Sequence, residues 1–253
     1  MMFRMTRIPP SSTQSPAPAE PVLVLQHMSA DGPAYLATWL AARGRRYRVF
    51  DAQAGEAFPA TMTGYAALAV LGGEMGANDD LPALRQAQAL IREAFAAAKP
   101  VVGHCLGGQL MARAFGAAVT RASAPEIGWH PLQRAAGPAV RAWFGDADGV
   151  DPVVFQWHYD QFALPSGAER LASSPACPNQ AFAIGPHLAL QFHVELDAGK
   201  LGVWSQSRDP AFVRAQARWP TVQGPEAMRA GAARHLAAQQ RLADRLYRRW
   251  LPG

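Results

Sequence analysis

The sequence predicts an α/β protein whose sheet is mostly parallel and covered by helices on both faces. Three observations lead there. Short uninterrupted apolar runs suit strands buried on both sides. They alternate with helix-length segments through short connections. A chain of 253 residues that is 49% hydrophobic and 17% charged also holds enough apolar material for a real core.

Residues 1–20 are rich in Pro, Ser and Ala, show no apolar period, and are expected to form a disordered leader. The first strand is expected at 21–25 (PVLVL), followed by a helix over 35–43 and a second strand at 47–50 (YRVF). A third strand, 67–71 (ALAVL), ends at Gly72-Gly73. A long helix over 84–98 stops before Pro100, a fourth strand follows at 101–103, and the helix behind it covers 106–115. Between 119 and 194 the pattern changes. Residues 153–155, 181–184 and 188–191 are short strand candidates separated by Pro and Gly, expected to join the same sheet as antiparallel or mixed additions. Residues 225–251 read as a helix with Pro225 in its first turn, inside a C-terminal helical extension over 208–251. No repeat occurs at solenoid or propeller periods, and residues 21–253 are expected to be one domain.

The longest stretch without formal charge, 171–194, is broken by Pro175, Pro178, Asn179, Gln180 and His187. A spanning helix needs roughly 18 unbroken apolar residues, so no membrane role is expected. No secretory signal is legible at the N-terminus. Two cysteines, Cys105 and Cys177, are too few for a structural zinc site, and neither HExxH nor CxxC is present; no cofactor or metal is expected. Both thiols are expected to be free in a reducing cytoplasm. The net charge of +5 points first to nucleic acid, but Lys99 and Lys200 are the only lysines in an alanine-rich chain. The excess reads as arginine bias, and nucleic acid is disfavoured.

The chemistry concentrates in Gly103-His104-Cys105-Leu106-Gly107-Gly108-Gln109. A strand ends at Gly103, a cysteine sits at the turn, and a helix begins directly behind it. Glycines two residues either side permit a sharp strand-to-helix turn that lifts the thiol above the sheet edge. The helix start then aims free N–H groups at it. A buried cysteine in a glycine-rich turn is the competing reading. The second pattern is His193-Val194-Glu195. In a strand these two side chains share a face, giving a base and the carboxylate that orients it. A surface His/Glu pair is the alternative.

Together, Gly103, Cys105, Gly107, Gln109, His193 and Glu195 resemble the motifs of the class I glutamine amidotransferases, which use a Cys-His-Glu triad. The likeness covers most of residues 21–205, with 88 residues between nucleophile and base. Gly72-Gly73-Glu74-Met75-Gly76-Ala77-Asn78-Asp79, Glu126-Ile127-Gly128-Trp129, Trp157-His158-Tyr159-Asp160-Gln161-Phe162 and Pro178-Asn179-Gln180-Ala181-Phe182 are similar to the stand-alone, GMP-synthase-amidotransferase-like branch. The resemblance implies a flavodoxin-like, doubly wound fold with its site at the C-terminal strand ends. It implies Cys105 as nucleophile, His193 as base and Glu195 as its orienter. It further implies backbone N–H groups of Gly73 and Leu106 as the oxyanion hole, and Gln109 as a substrate contact. The implied reaction releases ammonia from glutamine or a γ-glutamyl amide through a cysteine thioester. Residues beyond 195 read as helices, so any ammonia-accepting synthetase is expected on a separate polypeptide. The alternatives are a γ-glutamyl hydrolase or peptidase using the same triad, and a non-catalytic regulatory module on the same fold.

The chain departs from the family twice. The common HPE triplet is His193-Val194-Glu195, and Gly-Gly-Pro is Gly72-Gly73-Glu74. An inward Glu74 would repel a substrate carboxylate; an outward one is a loop residue, the outcome slightly favoured. His158 and Asp160 are expected to pack a loop over the site, and His104 to point away from the nucleophile. The arginines at 229, 234, 241, 245, 248 and 249, beside the stripe Leu236, Leu242, Leu246 and Trp250, are expected to form the solvated face of a packed helix.

Overall fold

Apolar runs without polar alternation are stable as strands only when both faces are covered. The computed structural model describes residues 20–145 and 151–252. Its first half runs β1 (Val22–Gln26), α1 (Tyr35–Ala41), β2 (Tyr47–Asp51), β3 (Ala67–Val70), α2 (Pro82–Ala96), β4 (Val101–His104) and α3 (Leu106–Ala114). The second half adds β5 (Val119–Pro131), β6 (Gln133–Arg134), α4 (Pro138–Phe144), β7 (Val153–Phe162), β8 (Glu169–Ser173), β9 (Ala181–Ile184) and β10 (His187–Leu190), then α5 (Ala198–Trp204), α6 (Pro210–Arg218) and α7 (Pro225–Trp250).

Among the described residues the strands form a sheet of eight, ordered β2-β1-β3-β4-β10-β9-β8-β6, and a separate ribbon, β5-β7. From β2 to β10 neighbours are parallel: Val22 stands opposite Tyr47 and Ala67, Leu68 opposite Val101, and Leu190 opposite His104. From β10 to β6 they are antiparallel. The two-residue period sorts side chains between the faces. Val22, Val24, Ala67, Ala69 and Leu190 pack with Leu36, Trp39, Trp143, Leu246 and Trp250 of α1, α4 and α7. Leu23, Leu25, Leu68 and Val70 pack with Leu84, Ile91, Leu110 and Met111 of α2 and α3. A third cluster joins the ribbon, through Ile127, Trp129 and Phe155, to Leu201, Phe212 and Met228 of α5, α6 and α7.

Helix starts follow local chemistry. Proline opens α2, α4, α6 and α7, where a missing N–H goes unnoticed. Asp197 caps α5 by accepting from the Lys200 N–H at 2.8 Å, and Asp209 caps α6 through the Ala211 N–H at 2.9 Å.

Two expectations are corrected. The run at 153–155 opens β7, which pairs with β5 from Val119↔Phe162 to Pro131↔Val153, with an irregularity between Arg121 and Glu126, and does not join the main sheet. Its apolar residues specify a strand but not the edge that receives it. The strand expected to carry His193 and Glu195 ends at Leu190, its last residue paired to β4, and 191–195 turn away. The C-terminal helix does pack as expected: Leu242, Leu246, Tyr247 and Trp250 are buried and all six arginines are exposed. The leader expected at 1–20 lies outside the described residues except for Glu20, whose carboxylate is 3.7 Å from Lys99 Nζ.

His27, His104 and His187 are buried, and burial pushes each imidazole down from 6.5 to about 4. An unfolded chain takes up these protons below pH 6.5, whereas the folded chain refuses them until about 4. Their contribution to stability is therefore complete above pH 6.5 and is lost as pH falls through that window. Thermal unfolding should show Tm decreasing steadily from about pH 7 to about pH 4.5; equal values at both ends would contradict the burial of these rings.

Candidate active site

From β1 the chain steps to β2 on one side and then returns to β3 on the other, the strand order whose C-terminal ends favour ligand sites in α/β sheets. Gly72 and Gly73 follow β3, Cys105 follows β4, and His193 follows β10 at that end of the sheet. The turn at Cys105 is made possible by its glycines. A Cβ on Gly103 would stand 2.5 Å from the Gly107 carbonyl carbon. One on Gly107 would stand 2.1 Å from the Val70 oxygen, and one on Gly108 2.5 Å from the Leu190 oxygen. Helix α3 is thus pressed against β3 and β10, and Cys105 absorbs the bend with φ 49° and ψ −107°. Such a backbone costs a non-glycine residue on the order of 1–3 kcal/mol.

The thiol is nearly buried, at 7% exposure. Gln191 Nε2 lies 3.6 Å from Sγ and donates to it, and Sγ is also 3.6 Å from the Trp157 carbonyl oxygen. Gln109, expected at the substrate, is 4% exposed and donates from Nε2 to Gln191 Oε1 at 3.3 Å and to the Asp160 carbonyl at 3.4 Å. Gly72 packs so that a Cβ there would meet His193 Cε1 and Asp31 Oδ2 at 3.1 Å and Cys105 Cβ at 3.8 Å. Gly73 lies against the first residue of α3: its Cβ would come 2.9 Å from Leu106 Cδ2. Glu74 is exposed.

His193 Nδ1 sits 2.7 Å from Glu195 Oε1. The loop, rather than a strand, supplies this geometry. The His193 N–H donates to the Phe155 carbonyl at 2.9 Å, and the Tyr35 N–H donates to the Glu195 carbonyl at 2.9 Å. Burial works against a charge on His193, but the Glu195 carboxylate and the Cys105 sulfur outweigh it and raise the imidazole to about 10. Burial equally disfavours the Glu195 carboxylate, yet His193 and Lys200 hold it well below the usual range. The ring of Trp204 meets His193 edge-on, with centroids 4.7 Å apart.

Lys200 and Asp31 carried no sequence signal. Lys200 Nζ lies between Asp31 Oδ1, in direct contact, and Glu195 Oε1 at 3.4 Å, with its ammonium stabilised by both. His104 points away from the thiol, as expected, and turns Nε2 toward the Tyr247 hydroxyl at 3.0 Å and Glu195 Oε2 at 3.9 Å. His158 is structural. Its Nε2 is 3.3 Å from Glu126 Oε2, which also accepts from Ser174 Oγ at 2.9 Å and Gln180 Nε2 at 2.7 Å. This cluster, with Cys177 close by, ties the ribbon to β8 and β9. It gathers the Glu126, His158 and Gln180 stretches into one buried network.

The chain is similar to known proteins over most of its length. The family described as Glutamine amidotransferase class-I matches residues 35–203. A Salmonella typhimurium (strain LT2) protein described as glutamine amidotransferase-like, YfeJ, is 28% identical over 231 residues, covering 88% of this chain and 92% of its own length. The crystal structure of a glutamine amidotransferase from Methylobacillus flagellatus superposes with a TM-score of 0.86 at 34% identity, covering 91% of this chain and 94% of that one. One from Thermotoga maritima gives 0.79 at 27% identity, covering 92% and 98%.

The two thiols should behave differently. Cys177 is fully buried, donates to the Asn179 carbonyl at 3.5 Å, and burial pushes it up to about 12. Limiting iodoacetamide at neutral pH should label Cys105 in the folded protein and reach Cys177 only after unfolding. Peptide mass spectrometry finding Cys177 labelled first would contradict the site.

Proposed function

Since the chain belongs to the class I glutamine amidotransferase family, we propose that it releases ammonia from glutamine or a γ-glutamyl amide by means of Cys105, His193 and Glu195. The observation that carries this reading is the 2.7 Å contact between His193 Nδ1 and Glu195 Oε1 beside a cysteine at a strained helix start. It supports reading Cys105 as nucleophile, His193 as base and Glu195 as the group that orients it. Among the described residues no helix is long and apolar enough to cross a membrane, and both cysteines are unpaired, which suits a cytoplasmic enzyme.

In this mechanism the Cys105 thiolate, paired with protonated His193, attacks the amide carbon and forms the C–S bond. The N–H groups of Gly73 and Leu106 take the charge that develops on the carbonyl oxygen. His193 passes its proton to the departing nitrogen, the C–N bond breaks, and ammonia leaves the thioester. Neutral His193 then removes a proton from water, hydroxide adds to the thioester, and the acid departs as the thiolate and imidazolium are restored. Glu195 holds the ring and balances its charge throughout. Gln109, whose Nε2 is taken up by Gln191 and Asp160, would meet the substrate through Oε1. Ammonia is either released or handed to a synthetase on another polypeptide.

Release of ammonia and of the acid across a panel of γ-glutamyl compounds, free glutamine included, tests the reading. A panel without turnover, under conditions where Cys105 still alkylates, would refute it. His193→Ala should lower kcat/KM about ten thousandfold, and Glu195→Gln about a hundredfold because it disturbs only orientation and charge balance. Wild-type rates in both would refute the triad. Glu74, being exposed, should be indifferent: Glu74→Gln is expected to leave kcat/KM for glutamine within about twofold, and a tenfold gain would place its charge at the substrate.

A further inference from the structure

Helix α7 begins 22 residues beyond the segment that the family matches, yet it reaches the candidate base. Gln239 lies in the middle of this helix and is 1% exposed. Burying a primary amide is unfavourable unless both of its ends find partners. Here both do, and both partners are main-chain groups next to the triad. Oε1 accepts from the Phe155 N–H at 2.7 Å, and Nε2 donates to the His193 carbonyl at 3.1 Å. The His193 N–H in turn donates to the Phe155 carbonyl at 2.9 Å. The three groups close a ring in which the Gln239 amide stands where a strand partner would complete the pairing of Phe155 with His193.

This matters because His193 has left the sheet. The ladder between β10 and β4 stops at Leu190 and His104, so no regular pairing fixes the base. Phe155 belongs to β7, and two residues further along that strand the Trp157 carbonyl lies 3.6 Å from Cys105 Sγ. Base and nucleophile are thereby referred to one short piece of β7. Cys105 touches it at Trp157, and His193 is locked to it by Phe155 and Gln239.

We propose that Gln239 is a positioning residue for the reaction: its side-chain amide fixes the main chain of His193 and so the place of the imidazole relative to the Cys105 thiol. The reaction it serves rests on the amide-releasing reading above; the geometry does not.

The experiment compares wild type with Gln239→Met, similar in length but unable to make either hydrogen bond, with Arg241→Met on the exposed face of α7 as control. Two readouts are taken. One is kcat and KM for the best γ-glutamyl substrate, with kcat expressed per alkylatable Cys105 so that loss of folded protein does not count. The other is the pH profile of Cys105 alkylation by iodoacetamide, which needs no substrate. Misplacing the base should lower kcat per thiol at least about tenfold with KM little changed. It should also move the alkylation midpoint upward by about half a pH unit or more, because a displaced imidazolium supports the thiolate less.

An alkylation profile superimposable on wild type would overturn the proposal, whatever the rate. Should wild type hydrolyse nothing in the panel, the functional reading falls and the alkylation profile alone decides the role of Gln239. Should Gln239→Met not fold, Gln239→Glu takes its place. Its carboxyl can donate to the His193 carbonyl only when protonated, so its midpoint shift and rate deficit should appear. The rate deficit relative to wild type should shrink as pH falls; a deficit independent of pH, or none, would overturn the proposal.

Discussion

Helix α3 and the strands beneath it leave no room for a methyl group, and most of the candidate site depends on that contact. Because Gly107 and Gly108 let the helix lie directly on the carbonyl oxygens of Val70 and Leu190, the turn before it must be abrupt. The abrupt turn forces Cys105 into a left-handed backbone and raises its sulfur over the sheet end. The same closeness brings the Leu106 side chain, at the first residue of α3, against Gly73. The loop after β10 carries His193, whose main chain is held by Phe155 and Gln239. A single steric constraint thus sets the turn at Cys105 and the start of α3 behind it.

Electrostatics supply the second constraint. His193, Glu195, Lys200 and Asp31 form an alternating chain of buried or nearly buried ionic groups. Such a chain is stable only while each charge has its neighbour; removing one leaves another stranded in a poorly solvated interior. Lys200 is central to it. Placed between two carboxylates, it keeps Glu195 from being neutralised by burial while leaving the carboxylate free to hold His193.

The sharp turn at Cys105 was legible in the sequence because everything that shapes it is local: glycines at fixed offsets, a strand before and a helix behind. The pairing of His193 with Glu195 was legible too, but for an incomplete reason, since a strand and a tight loop can both bring residues two apart together. Lys200, Asp31 and Gln239 gave no signal. Each looks like an ordinary surface residue in its own segment, and only the tertiary structure buries it against the triad. The ribbon β5-β7 was missed for a related reason. The residues at 153–155 announce extended chain, but its partner β5 and the buried cluster at Glu126, His158 and Gln180 beside it come from distant segments.

The backbone of Cys105 has a consequence for how such a protein persists over generations. Its conformation is one that glycine adopts without strain and that every side chain resists. Glycine is the substitution that would relieve the strain here, and it would also remove the thiol. A lineage freed from the need for the reaction would thus have a thermodynamic incentive to discard the sulfur first, keeping the fold and gaining durability. On the proposed function, the strained backbone at Cys105 is what the chain accepts in order to hold a thiol at the start of α3.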